Sequence, residues 1–262
     1  MDQSPAIRRA STLLALRDAP HGVEVLMVRR NLNSDFVGGA YVFPGGALDP
    51  EDVGERVAAR CRGVDDATAS RALSLESGGL AFLVAGAREL FEEAGLLLGV
   101  DADGAPARLE DVERWGRNRR ARNDGAEGFA ELLEREGIYL DLGDVAYLAH
   151  WVTPVGPPRR FDTRFFVARA PEGQRADHDA GETVASAWLR PVDALDAHAR
   201  GEFDMIFPTI RTLESIRHLA TVDGVLSFAR GQGTVTRVEP RIVVRDDTVV
   251  ILIPGDPGYD EA

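Results

Sequence analysis

The feature that most constrains this chain is the run from Gly79 to Gly95, Gly-Leu-Ala-Phe-Leu-Val-Ala-Gly-Ala-Arg-Glu-Leu-Phe-Glu-Glu-Ala-Gly. Its first half is too apolar for a surface loop, and Gly95 is a natural helix terminator. The pattern predicts about four turns of helix over 79–94. Glu89, Glu92 and Glu93 stand at i, i+3 and i+4, so they share one face. Like charges on one face repel, and near a helix C-terminus the macrodipole also disfavours anions. A solvated acidic face is the plain interpretation of such a triplet. A divalent cation is the other, because hard oxygen donors converging from a rigid backbone suit it.

The flanking residues favour the cation. Arg88-Glu89-Leu90-Phe91-Glu92-Glu93-Ala94-Gly95-Leu96 fills every fixed position in the second half of the Nudix box. That box is a glycine, five residues, a glutamate, seven residues, then R-E-U-x-E-E-x-G-U with U aliphatic. The first half resembles Phe43-Pro44-Gly45-Gly46-Ala47-Leu48-Asp49-Pro50-Glu51-Asp52, with Gly46 at the glycine position and Asp52 where the family has glutamate. Between Asp52 and Arg88 lie 35 residues, so the box carries an insertion of 28. A split box of this kind is similar to that of the coenzyme A diphosphatases of the mammalian peroxisomal type. The likeness extends to Trp151-Val152-Thr153-Pro154, to 159–166 (Arg-Arg-Phe-Asp-Thr-Arg-Phe-Phe) and to Ile253-Pro254-Gly255-Asp256.

The resemblance implies a single Nudix domain over 1–262, an α/β/α sandwich around a mixed β-sheet. It would be elaborated by the insertion at 53–80, a helical insert at about 103–140 and a C-terminal extension at about 200–262. It implies Glu89, Glu92 and Glu93 as ligands of Mg²⁺ or Mn²⁺, and Arg88 as the residue that orients them. One of these carboxylates, or Glu182 from a facing loop, would deprotonate the attacking water. Arg29, Arg159, Arg160 and Phe43 are the candidates for substrate contact, the arginines because guanidinium pairs bidentately with phosphate. Solvated loop or strand-end arginines are the competing interpretation. The implied reaction is hydrolysis of a nucleoside diphosphate linked to another moiety, with coenzyme A or acyl-coenzyme A first. ADP-ribose or a reduced nicotinamide dinucleotide is the alternative substrate, and a non-catalytic nucleotide sensor the alternative class.

Along the chain, 11–17 and 23–29 are expected to form a hairpin, Tyr41–Phe43 a short strand, and 53–62 and 67–75 two helices of the insertion. Strands are expected at 145–153, 161–168 and 182–189, followed by a helix at 191–200. A single helix over 203–230 carries the stripe Ile210, Leu213, Ile216 and Leu219, read as core or homodimer interface. Two strands at 241–244 and 249–253 would turn at Asp246-Asp247. Arg114, Arg117, Arg119, Arg120 and Arg122 read as a solvated helix face, and Trp115 as a packing anchor.

Composition narrows the partners. The formal net charge is −13 and all thirty basic residues are arginine, which argues against non-specific nucleic-acid binding. An anionic small molecule stays open, since a metal and local arginines reverse the field in one cleft. Cys61 is the sole cysteine, so no intramolecular disulfide forms and an inert thiol is expected. No apolar run approaches a membrane span, and a cytoplasmic protein is the simplest expectation. The five histidines, at 21, 150, 178, 198 and 218, lack metal-ligand spacing.

Overall fold

The computed structural model describes residues 6–31, 38–108, 128–176, 183–245 and 248–261. The first two strands, β1 (Ile7–Ala19) and β2 (Gly22–Arg30), form the expected hairpin. Alternation along β1 sends Leu13 and Ala15 to one core and Leu14 and Leu16 to the other. Both faces of the strand are therefore covered, which is why its sequence is a continuous apolar run rather than an alternating one. Two short strands follow, β3 (Tyr41–Val42) on β2 and β4 (Gly45–Ala47) on β1.

The insertion begins with a 3₁₀ turn, Pro50–Asp52, and one helical turn, α1 (Glu55–Ala58). The helix expected over 53–62 is cut short for two reasons. Gly54 takes φ 120°, which no helix tolerates. Beyond α1, β5 (Cys61–Arg62) gives its backbone to a small sheet. Burial pushes the Cys61 thiol up to about 12, so it is an unreactive thiol at neutral pH. Next comes α2 (Asp66–Ala72), then the central helix α3 (Gly79–Ala94), whose bounds are those expected from sequence.

The start of α3 is capped by the insertion. Asp66 accepts from Gly78 N and Leu80 N at 3.0 Å each, and Ser70 Oγ accepts from Gly79 N at 2.9 Å. The residue before the helix is glycine, with no side chain to do this. These N–H groups hold the Asp66 carboxyl below its ordinary value of 3.8. Its contribution to stability is thus present above that range and lost as pH falls through the lowered pKa. Asp66→Ala is expected to cost about 1–2 kcal/mol at neutral pH, read as a lower urea midpoint. An unchanged midpoint would show that water replaces the cap.

After α3 come β6 (Gly99–Val100), α4 (Phe129–Arg135) and β7 (Tyr139–Asp141). The order of the small sheet is β5-β7-β6. The arginine run at 114–122 and Trp115 lie outside the described residues. The hairpin β8 (Ala146–Val152) and β9 (Arg160–Arg169) and the strand β10 (Thr183–Leu189) return to the main sheet. They are followed by α5 (Pro191–Ala199), α6 (Phe207–Ile216) and α7 (Val222–Gly231).

The single helix expected over 203–230 is therefore two. Thr221 Oγ1 accepts from Gly224 N, and Asp18 Oδ1 accepts from Val222 N at 2.9 Å, so a new N-terminus is capped from both sides. Leu213 and Ile216 of the expected stripe are fully buried in the core beneath the sheet. The chain ends with β11 (Arg237–Val238) on β8 and a separate hairpin of β12 (Arg241–Arg245) and β13 (Thr248–Leu252).

The main sheet runs β10-β2-β1-β9-β8-β11, with β3 and β4 attached to β2 and β1. β1–β9 and β8–β11 are parallel and the remaining pairs antiparallel, so the sheet is mixed. One face packs against α3 through Leu13, Leu26, Val28 and Phe166. The other packs against α5, α6 and α7 through Leu14, Met27, Phe165 and Val167. This is a three-layer α/β/α sandwich. No helix among the described residues is long and apolar enough to cross a membrane.

Candidate active site

The acidic face of α3 lies against β4. A Cβ on Gly86 would sit 2.9 Å from Ser11 Oγ, so glycine there lets the helix press onto β1. Ser11 Oγ donates to Phe82 O at 2.6 Å and fixes the same contact. At the other end Gly95, φ 70°, closes the helix as expected.

Arg88 is almost wholly enclosed, its side chain 2% exposed. Its guanidinium grips Asp52 with two bonds, Nε to Oδ1 at 2.8 Å and Nη2 to Oδ2 at 3.0 Å. Nη1 donates to Glu89 Oε1 at 2.9 Å and to Glu92 Oε2 at 3.0 Å, and Nη2 also reaches Ala47 O. Asp49 stands 3.6 Å away. Burial disfavours the charge on Arg88, but the Asp52 hydrogen bonds and the charges of Glu89, Asp52 and Asp49 outweigh it and keep the group protonated. Asp52 thus serves Arg88 with both oxygens, and also accepts from Asp49 N.

Glu93 Oε2 accepts from Gly45 N at 3.1 Å. A Cβ at Gly46 would lie 2.3 Å from Glu89 Oε1. The Gly45-Gly46 backbone is therefore a cradle that any side chain would fill, and two of the three glutamates rest on it. Among the described residues no three acidic, histidine or cysteine side chains form a closed metal cage. The donor set nevertheless fits a hard divalent cation. One guanidinium faces four carboxylates, and Arg88 engages one oxygen each of Glu89 and Glu92.

The other sequence-derived candidates divide. Phe43 is buried on the far side of the sheet from α3, edge-on to Phe165 at 6.4 Å; it is a core residue rather than a substrate contact. Arg160 is also buried, with Nε donating to Thr153 O at 3.1 Å and Nη2 paired with Glu239. It ties β9 to the C-terminal segment instead of waiting for phosphate. Arg159 is exposed in the turn before β9. Glu182 lies outside the described residues.

Arg29 donates to Gly39 O at 3.1 Å and lies over the Tyr41 ring. Its neighbour Arg30 follows Leu26 and Val28 onto the α3 side of the sheet. Arg30 Nε is buried without an acceptor among the described residues. Arg30 also pairs in register with Thr183, whose hydroxyl donates to Glu93 O at 3.2 Å. Of the two strand-end arginines, Arg30 is the one turned to the glutamates' side, and counting the two-residue period from Val28 is the signal that finds it.

With this geometry in view, comparison with known proteins is decisive. The sequence profile of the NUDT19 Nudix domain matches residues 7–216. The chain belongs to the NUDT19 family of Nudix hydrolases. An acyl-coenzyme A diphosphatase NUDT19 of Gallus gallus is 28% identical over 92% of this chain and 74% of its own length. That of Homo sapiens is 27% identical over 92% and 73%. A crystal structure of a NUDIX hydrolase from Alicyclobacillus acidocaldarius superposes with a TM-score of 0.64 and 30% identity, covering 85% of this chain and 96% of that one. In Nudix terms the two halves of the split box meet at the Arg88–Asp52 pair, 36 residues apart in sequence.

Proposed function

We propose that this Nudix hydrolase cleaves the pyrophosphate of coenzyme A or acyl-coenzyme A, giving 3′,5′-ADP and (acyl-)phosphopantetheine. The observation that carries the proposal is the split box rejoined at Arg88–Asp52, in a chain similar over nine-tenths of its length to acyl-coenzyme A diphosphatases. Glu89, Glu92 and Glu93 would hold the divalent ion, Mg²⁺ or Mn²⁺. When bound, that ion supplies charge neutralisation at the pyrophosphate and acidifies water.

The rest is the work of the chain. Arg88 fixes the rotamers of Glu89 and Glu92, so the carboxylates need little reordering. The Gly45-Gly46 backbone sets Glu93 and leaves Glu89 room. Water adds to one phosphorus, the bridging P–O bond breaks, and the second phosphate leaves. The proton of the water passes to a carboxylate, either one of these glutamates or Glu182. Arg30 and Arg159 are the arginines proposed to meet an anionic substrate. A cytoplasmic setting, a nucleotide-containing small molecule as substrate and a homodimer belong to the same proposal.

The test is a product assay with Mg²⁺ or Mn²⁺ on coenzyme A, acetyl-coenzyme A, ADP-ribose, NADH and nucleoside triphosphates. Release of 3′,5′-ADP from the coenzyme A compounds is the expected result. AMP from ADP-ribose or NADH alone would keep the chemistry and overturn the substrate. Binding without turnover across the panel would leave a sensor.

A further inference from the structure

The stripe Ile210, Leu213, Ile216 and Leu219 does not serve a dimer, because Leu213 and Ile216 close the core beneath the sheet. The apolar surface that the fold leaves bare is on the C-terminal hairpin. β12 and β13 form a sheet of their own, and among the described residues no third strand joins it. Ile242 lies opposite Ile251 and Val244 opposite Val249, so by strand alternation all four project from one face. That face is open: Ile242 is 51% exposed, Val244 69%, Val249 65% and Ile251 36%.

The opposite face is covered by the chain itself. Leu252 is buried, and Arg241 donates to Tyr259 O at 2.5 Å and lies over the Tyr259 ring. Tyr259 Oη donates to Glu239 O at 2.7 Å, and Glu239 holds Arg160 at the start of β9. The hairpin is therefore anchored at the end of the main sheet where β9 begins. Ile7, in register with Arg160, and Val155, in the β8–β9 turn, are exposed at that same end. A two-stranded ribbon is marginal in water unless its apolar face is covered. Here one face is covered and the other is not.

A second copy of the same chain fits the bare face in size, shape and charge. The four side chains expose on the order of 350 Å² of apolar surface, the range in which a patch marks an interaction site. Two copies face to face bring together about 700 Å². At the roughly 60% apolar content of protein interfaces, this corresponds to about 1,200 Å² in all, the lower bound for a specific contact. Two cross-strand pairs of β-branched residues make a flat face that packs on its own copy as sheets pack in a sandwich. No charged side chain projects from this face among the described residues, while the chain carries a formal charge of −13. That charge repels an anionic membrane or a nucleic acid, and the face lacks the Trp and Tyr that seat a protein at a lipid interface. Two copies also repel each other, but only through charges outside the contact, which salt screens.

Resting on the homodimer reading, we propose that the face formed by Ile242, Val244, Val249 and Ile251 is the interface between two copies of this chain, sheet packed on sheet across a twofold axis.

Sedimentation velocity of the full chain between about 1 and 100 μM is expected to show a reversible monomer–dimer equilibrium with a micromolar midpoint. Raising the salt tightens it. Val244→Asp and Val249→Asp are each expected to weaken dimerisation at least about 30-fold. Both variants stay folded, because these side chains face water in the single chain. Val192→Asp adds the same charge to α5, which follows the far edge strand β10. Aspartate suits a helix N-terminus, and the midpoint is expected to move by less than about threefold. Wild type gives a readout without any substitution: the backbone amides of 241–245 and 248–252 gain protection from hydrogen exchange between dilute and concentrated protein.

The homodimer and its surface fail separately. A chain still monomeric at about 100 μM refutes both and leaves the hydrolase reading untouched; co-sedimentation of that monomer with zwitterionic lipid vesicles would reassign the face to a membrane. A dimer that Val244→Asp and Val249→Asp leave intact, or whose hairpin amides gain no protection, keeps the homodimer and overturns this face.

Discussion

Glu92→Gln is expected to lower kcat by about 10³-fold while leaving the protein folded. The substitution is isosteric, and the amide oxygen can still accept from Arg88 Nη1, as Glu92 Oε2 does at 3.0 Å. Packing around a residue 9% exposed is therefore kept. What changes is charge. A neutral amide is a much weaker ligand for a hard divalent cation than a carboxylate and cannot act as a base. Two readouts separate ligand loss from unfolding: Mn²⁺ affinity by electron paramagnetic resonance, expected to fall, and the thermal midpoint, expected to stay within about 4 °C. Turnover at the wild-type level with Mn²⁺ affinity unchanged would remove Glu92 from the metal site.

What could be read from the sequence follows a physical division. The bounds of α3 were legible because an apolar approach, an acidic face and a terminating glycine are all local signals, and the helix runs Gly79–Ala94 as expected. The hairpins β1–β2 and β8–β9 were legible for the same reason. The insertion helix over 53–62 was not, because β5 is set by backbone pairing with Leu140 and Asp141, nearly eighty residues on. The break between α6 and α7 depends on Asp18, 204 residues from the N–H it caps. No window of sequence contains such a partner.

The site divides in the same way. The glutamate spacing places three carboxylates on one face by helix geometry alone. Which strand residues join them depends on which face of the sheet each one takes. By sequence Arg160 reads as a phosphate ligand, but in the fold Glu239, from the far end of the chain, holds it. Phe43, beside the glycines, turns into the opposite core from its neighbour Val42, because successive side chains of an extended chain point to opposite faces. Asp52 could not be assigned from sequence because its partner lies across the insertion; in the fold it is the closest neighbour of Arg88.

That partnership gives the largest expected effect on stability. Asp52→Ala is expected to cost about 3–5 kcal/mol, because it strips a bidentate partner from a guanidinium that remains buried and charged. Arg88 would still touch Glu89 and Glu92, but with Nε facing a void and no water route into a side chain 2% exposed. It should relax toward the space left by Asp52 and draw the two glutamates with it. Activity is then expected to fall even at temperatures where the variant is fully folded, since a carboxylate misplaced by about 1 Å can cost on the order of 10²-fold. Asp52→Asn distinguishes the two consequences. It keeps one acceptor for Arg88 and most of the shape, so stability should recover further than turnover does. If Asp52→Ala instead melts and turns over like the wild type, the Arg88–Asp52 pair is not what holds the two halves of the box together, and the glutamates are positioned by α3 and the Gly45-Gly46 backbone alone.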